Sequence, residues 1–169
     1  WLPGGAGQGE SALFLSLNQS KRSVTLNLEN KVGAQLLKKL VLDFDILVEG
    51  FPAGHLDQLG LGYTALAQVN PGLIFTSITP FGQTGPYKDY KGSDIVAQAM
   101  GALMHTIGLP EREPLKVGGN AALYTTGVSA FSAVMVALHV KDCQGHGQHV
   151  DVSAMEAITV AQIHSSIHS

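Results

Sequence analysis

Ser23-Val24-Thr25-Leu26-Asn27-Leu28, then Val32, Leu36, Leu37, Leu40 and Val41, then Asp45-Ile46-Leu47-Val48-Glu49, form the stretch that decides the fold. The first piece alternates apolar and polar residues at a period of two, as a half-covered strand does. In the second, apolar residues recur at helical spacing behind Asn30, whose short amide side chain is suited to capping a helix. The third is a brief apolar run of the kind expected for a short buried strand. Strand, helix, strand is the building block of parallel sheets with helices on their faces, so the expected class is α/β, a Rossmann-like and mostly parallel sheet flanked by helices.

The pattern continues downstream. Gly54 to Leu59 and Tyr63 to Val69 read as two short helices parted by Gly60-Leu61-Gly62, and Asn70-Pro71 stops the second. Leu73 to Ile78 is a third strand. The loop Pro80-Phe81-Gly82-Gln83-Thr84-Gly85-Pro86-Tyr87 follows it, where open α/β sheets carry their ligand-contacting turns. Ser93-Asp94 is read as the cap of a helix through Ile95, Val96, Ala99, Met100 and Leu103. Beyond a linker from Leu109 to Lys116, Ala121 to Lys141 is uncharged up to its last residue. That length would reach across a bilayer core of roughly 30 Å. Tyr124, Thr125, Ser129, Ser132 and His139 interrupt it, while Val128, Phe131, Val134, Met135 and Leu138 keep helical spacing, so a buried helix of a protein outside the membrane is expected. Gly147 to Val152 is a last strand, and Ser153 opens another helix. The first ten residues are Gly-rich and begin without methionine. Residues 1–12 are expected to be a loop or a truncated edge, and residues 13–169 a partial Rossmann-like domain.

Composition narrows the ligand. The chain has 169 residues, 45% hydrophobic and 14% charged, with a net charge of -3, so it buries a core yet offers no general attraction to nucleic acid or an anionic membrane surface. A small-molecule site is the expectation. Cys143 has no internal disulfide partner, which makes the reducing cytoplasm the default compartment. His105, His139, His146 and His149 lack metal-ligand spacing with carboxylate or cysteine partners, so no metal is expected. Gly82-Gln83-Thr84-Gly85 lacks the lysine of a phosphate-binding P-loop.

Four segments carry a more specific signal: Asn18-Gln19-Ser20-Lys21-Arg22 leading into Ser23 to Leu28, Asp45 to Tyr63, Asn70 to Tyr87, and Gly145 to Asp151. In this order and spacing they resemble the family III CoA-transferases, the superfamily of formyl-CoA transferase, carnitine CoA-transferase and alpha-methylacyl-CoA racemase. The resemblance runs from about residue 13 to about residue 160, and four linked motifs are far more specific than any one. It implies an incomplete CoA-binding large domain, with coenzyme A or acyl-CoA and a small carboxylic acid as substrates. For the full-length chain it also implies a homodimer of interlocked subunits.

By the same resemblance, Leu26, Leu28 and Glu29 lie where the family lines its adenine pocket. The turn Glu49-Gly50-Phe51-Pro52-Ala53-Gly54 lies where the nucleotide and pantetheine pass, so Gly50, Phe51 and Gly54 offer backbone amides. Lys91 matches a position near CoA, and Lys21-Arg22 could be read as a phosphate pair, though such a pair is more often a solvated strand entrance. The family usually has Glu-Asn-Phe-Arg-Pro-Gly in the turn, and commonly arginine where Gln58 stands. Two cations near the phosphates are thereby lost, each worth roughly 1.5–3 kcal/mol in a charge-assisted hydrogen bond.

The reacting residue departs further. Transferases of this family pass CoA through an aspartate, which attacks the thioester, forms a mixed anhydride and then carries CoA as its own thioester. Their pattern is Val-Gly-x-x-x-x-Asp-x-x-x-Gly. Here the run is Val117-Gly118-Gly119-Asn120-Ala121-Ala122-Leu123-Tyr124-Thr125-Thr126-Gly127, which puts Leu123 at the nucleophile's place. No Asp or Glu occurs between Glu113 and Asp142, so no shift of alignment supplies one. Racemases of the same fold pair the aspartate with a histidine, and Ser93 stands at that position. The readings left open are a CoA-transferase whose acid comes from elsewhere or from Asp94, which also reads as a helix cap, and a non-catalytic CoA-binding or dimerisation module.

Overall fold

The computed structural model describes residues 11–162. In chain order its elements are α1 (Ala12–Leu17), α2 (Lys31–Leu40), β1 (Ile46–Glu49), α3 (His55–Gln58), α4 (Tyr63–Val69), β2 (Ile74–Thr79), α5 (Asp94–Met100), a 3-10 turn (Leu103–Thr106), α6 (Ala121–Gln144), β3 (His149–Ser153) and α7 (Ala154–Ala161). The three strands form one parallel sheet in the order β1-β2-β3. Parallel neighbours need long crossovers, supplied by α3 and α4 between β1 and β2, and by α5 and α6 between β2 and β3.

Helices cover both faces. Leu47 stands beside Phe75 in the register, and that face packs on Val41, Leu56, Leu61, Leu66 and Leu73 from the α2 to α4 side. The other face meets α6, and beyond it Ala97, Ala122, Ala154 and Ile158 join α5, α6 and α7. Only β2 is covered on both faces and both edges, which is why it is buried almost end to end, Thr76 and Ser77 included.

Several elements depart from the sequence reading. Ser23 to Leu28 is not a strand: among the described residues it has no ladder partner, and Val24 is 73% exposed. Extended chain becomes a strand only beside a neighbour. Asn30 does cap α2, its Oδ1 accepting from the Val32 amide at 2.9 Å. The helix, however, turns Gly33, Leu37 and Val41 toward the core, leaving Val32, Leu36 and Leu40 exposed. Gly33 is required there, because a Cβ would fall on the Asn27 carbonyl. β1 is an edge strand with Val48 exposed, not a buried one. α5 stops at Met100 because Ala102 adopts φ 64°, and Leu103 belongs to the next turn.

α6 shows the largest difference. Its buried stripe is Ala122, Thr126, Ala130, Val134 and Ala137, while Val128, Phe131 and Met135 face outward. Small side chains let a helix axis approach its support closely, and a helix apolar all round leaves that choice to packing. By length and composition α6 is apolar enough to cross a membrane, yet its small-residue stripe lies on β2, β3, α5 and α7.

Candidate active site

The turns leaving the carboxyl ends of the strands are tied together by Gln83. Its backbone N–H donates to Asp151 Oδ2 at 2.9 Å, and its Oε1 accepts from the Gly54 amide at 3.0 Å. Glu49 Oε2 accepts from the Phe51 amide at 2.7 Å, which folds the turn after β1 back on its own strand. The Gly54 backbone, at φ 72°, takes the left-handed conformation that opens α3. One residue, through its backbone N–H and its side chain, thus links the ends of β3 and β1 by way of the loop after β2.

Beside this shelf lies a cavity of about 200 Å³. Ile78, Thr79 and Pro80 line it from the end of β2, Gly92, Ser93 and Ala97 from around α5, Leu123, Thr126 and Gly127 from α6, and Ala154 from α7. Ser93 and Leu123, the two positions where the resemblance places reacting residues, therefore share one cavity. Leu123 and Gly127 also border an outer groove of about 500 Å³, which runs between α1 and α6 past Leu17, Lys21, Tyr124 and Phe131.

Asp94 does something other than cap its own helix. Its Oδ1 accepts from the amides of Ala122 (3.0 Å) and Leu123 (3.3 Å), the first turn of α6. Its Oδ2 accepts from Gln98 Nε2 at 2.7 Å and pairs with Lys116 Nζ at 2.9 Å. Fully buried Gln98 reaches back to the same loop, its Oε1 accepting from the Val117 amide at 2.9 Å. Burial raises the Asp94 carboxyl pKa, but Lys116, the Leu123 amide and Gln98 outweigh it and hold the carboxyl below its ordinary value. Ser93, the expected cap of α5, makes no capping hydrogen bond.

A second, polar cleft of about 190 Å³ sits on the opposite side of the shelf, lined among others by Glu49, His55, Asp57, Tyr63, Ser77 and His149. Ser77 Oγ lies 2.9 Å from His149 Nε2, and the His149 ring stacks on Tyr63 at 5.4 Å. Ser77 is 1% exposed, so this pair fixes a ring and leaves no open nucleophile. Glu49, Ser77 and Asp151 fall in one register, a polar row across the three strands. The sequence reading missed Ser77, Gln83, Gln98, Lys116, His149 and Asp151; for Ser77, His149 and Asp151 the available signal was a polar residue within an otherwise apolar strand, and for Gln83, Gln98 and Lys116, on loops and α5, there was none.

The other anticipated residues are more scattered. Leu28 packs against the core and Leu26 is half-buried, while Arg22, Glu29 and Lys91 are exposed. Among the described residues no hydrogen bond or ring contact links Leu26, Arg22 or Lys91 to the turn carrying Gly50, Phe51 and Gly54. Phe51 lies against His55 at 5.2 Å. No group of three His, Cys, Asp or Glu side chains among the described residues is placed to hold a metal.

An open parallel sheet with helices on its faces and clefts at the strands' carboxyl ends defines an α/β protein. More narrowly, the chain belongs to the CoA-transferase family III, whose family model matches residues 1–168. It is 38% identical over 152 residues to the succinyl-CoA--L-malate CoA-transferase beta subunit of Chloroflexus aurantiacus, covering 89% of this chain and 38% of that protein. It is 36% identical to the formyl-CoA:oxalate CoA-transferase of Streptomyces avermitilis, over 88% of this chain and 36% of that one. The solved structure of a CaiB/BaiF family protein from Brucella suis matches with a TM-score of 0.90 at 36% identity, over 96% of this chain and 43% of its own. The chain therefore spans less than half the length of these relatives.

Proposed function

We propose that this chain forms the CoA-binding part of a family III enzyme that moves CoA between an acyl-CoA thioester and a carboxylic acid, with the attacking acid supplied from outside residues 114–141. The observation that carries the proposal is the shared cavity: Ser93 and Leu123 are thirty positions apart in the chain and line the same space beside the Gln83-tied turns. The pantetheine arm would cross the Glu49–Gly54 turn along Gly50, Phe51 and Gly54, where the Phe51 and Gly54 amides already donate to Glu49 and Gln83 and so are not the free donors expected from the sequence, with Lys91, Arg22, Leu26, Leu28 and Glu29 serving the nucleotide end. Asp94 is a poor nucleophile on this reading, since both its oxygens are engaged by α6 amides, Gln98 and Lys116.

The absence of any acid between Glu113 and Asp142 favours a second reading, a CoA-binding or dimerisation module without chemistry of its own. Incubating the complete protein with acyl-CoA and searching by mass spectrometry for a hydroxylamine-sensitive adduct separates the two. The transferase reading expects an adduct on a carboxylate outside residues 114–141; bound CoA with no adduct supports the module. Leu123→Asp supplies the internal comparison. Leu123 is 52% exposed, so the substitution leaves the fold intact and is expected to add a labelled site at position 123.

A further inference from the structure

The turn after β1 is braced from outside by a single amide group. Gln83 Oε1 accepts from the Gly54 amide at 3.0 Å and Gln83 Nε2 lies 3.5 Å from Glu49 Oε1, so the side chain closes on both ends of the Glu49–Gly54 turn. Glu49 Oε2 accepts from the Phe51 amide at 2.7 Å and completes the ring from within. Gln83 is itself anchored through its backbone. Its N–H donates to Asp151 Oδ2 at 2.9 Å, and the preceding Gly82 N–H donates to Thr79 Oγ1 at 2.8 Å, which fixes where the loop leaves β2. The Pro52 and Gly54 carbonyls accept from the His55 and Gln58 amides of α3, the helix that the turn starts, and so do not tie the turn to the sheet. On the sheet side Gly50 passes the end of β2, where a Cβ would meet the Ile78 carbonyl at 3.7 Å. Ile78 and Thr79 line the inner cavity together with Ser93 and Leu123. The Gln83 amide therefore sets where the turn stands relative to that cavity.

From this bracing we infer that Gln83 is a positioning residue for the pantetheine arm: it touches no reacting atom and acts by holding the Glu49–Gly54 backbone in the shape along which the arm reaches the cavity. The inference rests on the proposed function, which lays the arm across this turn. A turn released from Gln83 has to be ordered again each time the arm binds, and that ordering is subtracted from affinity. The loss falls on the arm and not on the nucleotide end, which other residues serve.

The complete protein and its variants are titrated calorimetrically with CoA and with adenosine bisphosphate, the nucleotide end without the arm. Gln83→Ala should weaken CoA about three- to tenfold, the range of one lost neutral hydrogen bond, and change the bisphosphate less than about twofold. Gln83→Glu keeps an oxygen facing the Gly54 amide but sets a second carboxylate against Glu49, and should weaken CoA at least as much. Adding Glu49→Gln to Gln83→Glu exchanges the two groups. The amide at position 49 then accepts from Phe51 and donates to the carboxylate at position 83, so the ring re-forms with one charge and CoA affinity should recover to within about twofold of the unmodified protein. Melting temperatures confirm folding. Should Gln83→Ala fail to fold, or the bisphosphate bind too weakly to read, Gln83→Glu and the exchanged pair decide. An unchanged CoA affinity in folded Gln83→Ala, an equal loss for both ligands, or an exchanged pair no better than Gln83→Glu alone overturns the inference while CoA binding stands. Failure of the unmodified protein to bind CoA removes the proposed function and this inference with it.

Discussion

Asp94 shows how one carboxylate can hold a site together without reacting in it. Its side chain is 10% exposed and sits between α5, the loop carrying Lys116 and the positive end of α6. Substituting asparagine keeps the shape but loses the charge opposite Lys116 and hands the α6 amides a weaker acceptor. Asp94→Asn should therefore destabilise the complete protein by about 2–3 kcal/mol in urea unfolding at neutral pH. The native carboxyl titrates below its ordinary value of 3.8. Its contribution is thus full above that value and lost as pH falls through the lower native one. The gap between Asp94→Asn and the unmodified protein should close across that acidic window. A gap that stays constant down to strong acid would show that Asp94 owes its effect to shape and not to charge.

At the scale of elements, α2 sets helix propensity against packing. Alanine is the better helix former by about 1 kcal/mol, yet a Cβ at Gly33 would collide with the Asn27 carbonyl, which is backbone and cannot swing aside. Gly33→Ala should destabilise by at least about 1–3 kcal/mol by thermal or urea unfolding, the sign opposite to propensity. A neutral or stabilising result would mean that the segment before α2 moves freely from the helix. The same contest explains what could be read in advance. β2, α3, α4 and the Ser153 start of α7 were legible because local turn signals and a period agree there. The buried faces of α2 and α6 were not: α6 is apolar nearly all round, so only its neighbours decide which stripe is covered, and on amphipathic α2 the stripe of Val32, Leu36 and Leu40 is the one left exposed. Ser93 and Leu123 could be paired in advance by resemblance alone. The clasp of Asp94, Gln98 and Lys116 was hidden, since nothing in the sequence joins residues 94, 98 and 116 until α5 and α6 pack.

For the whole molecule the decisive quantity is surface. Among the described residues the exposed surface includes organised apolar faces. Val32, Leu36 and Leu40 lie open on α2, Ile46 and Val48 on the edge strand, and Val128, Phe131, Met135 and Val136 along α6. Patches of this extent on soluble proteins mark surfaces that are covered in the working assembly. The edge of β1 has no strand neighbour among the described residues, and Ser23 to Leu28 alternates like a strand without a ladder to join. Expressed alone, residues 1–169 should bind a hydrophobic dye such as ANS strongly and elute from a sizing column as associated species. The complete protein, with these faces covered, should stay dye-silent and elute as one defined species. A monodisperse, dye-silent monomer from the 169-residue piece would show that it closes on itself, and the inner cavity would then have to be described with α6 and β1 in different surroundings.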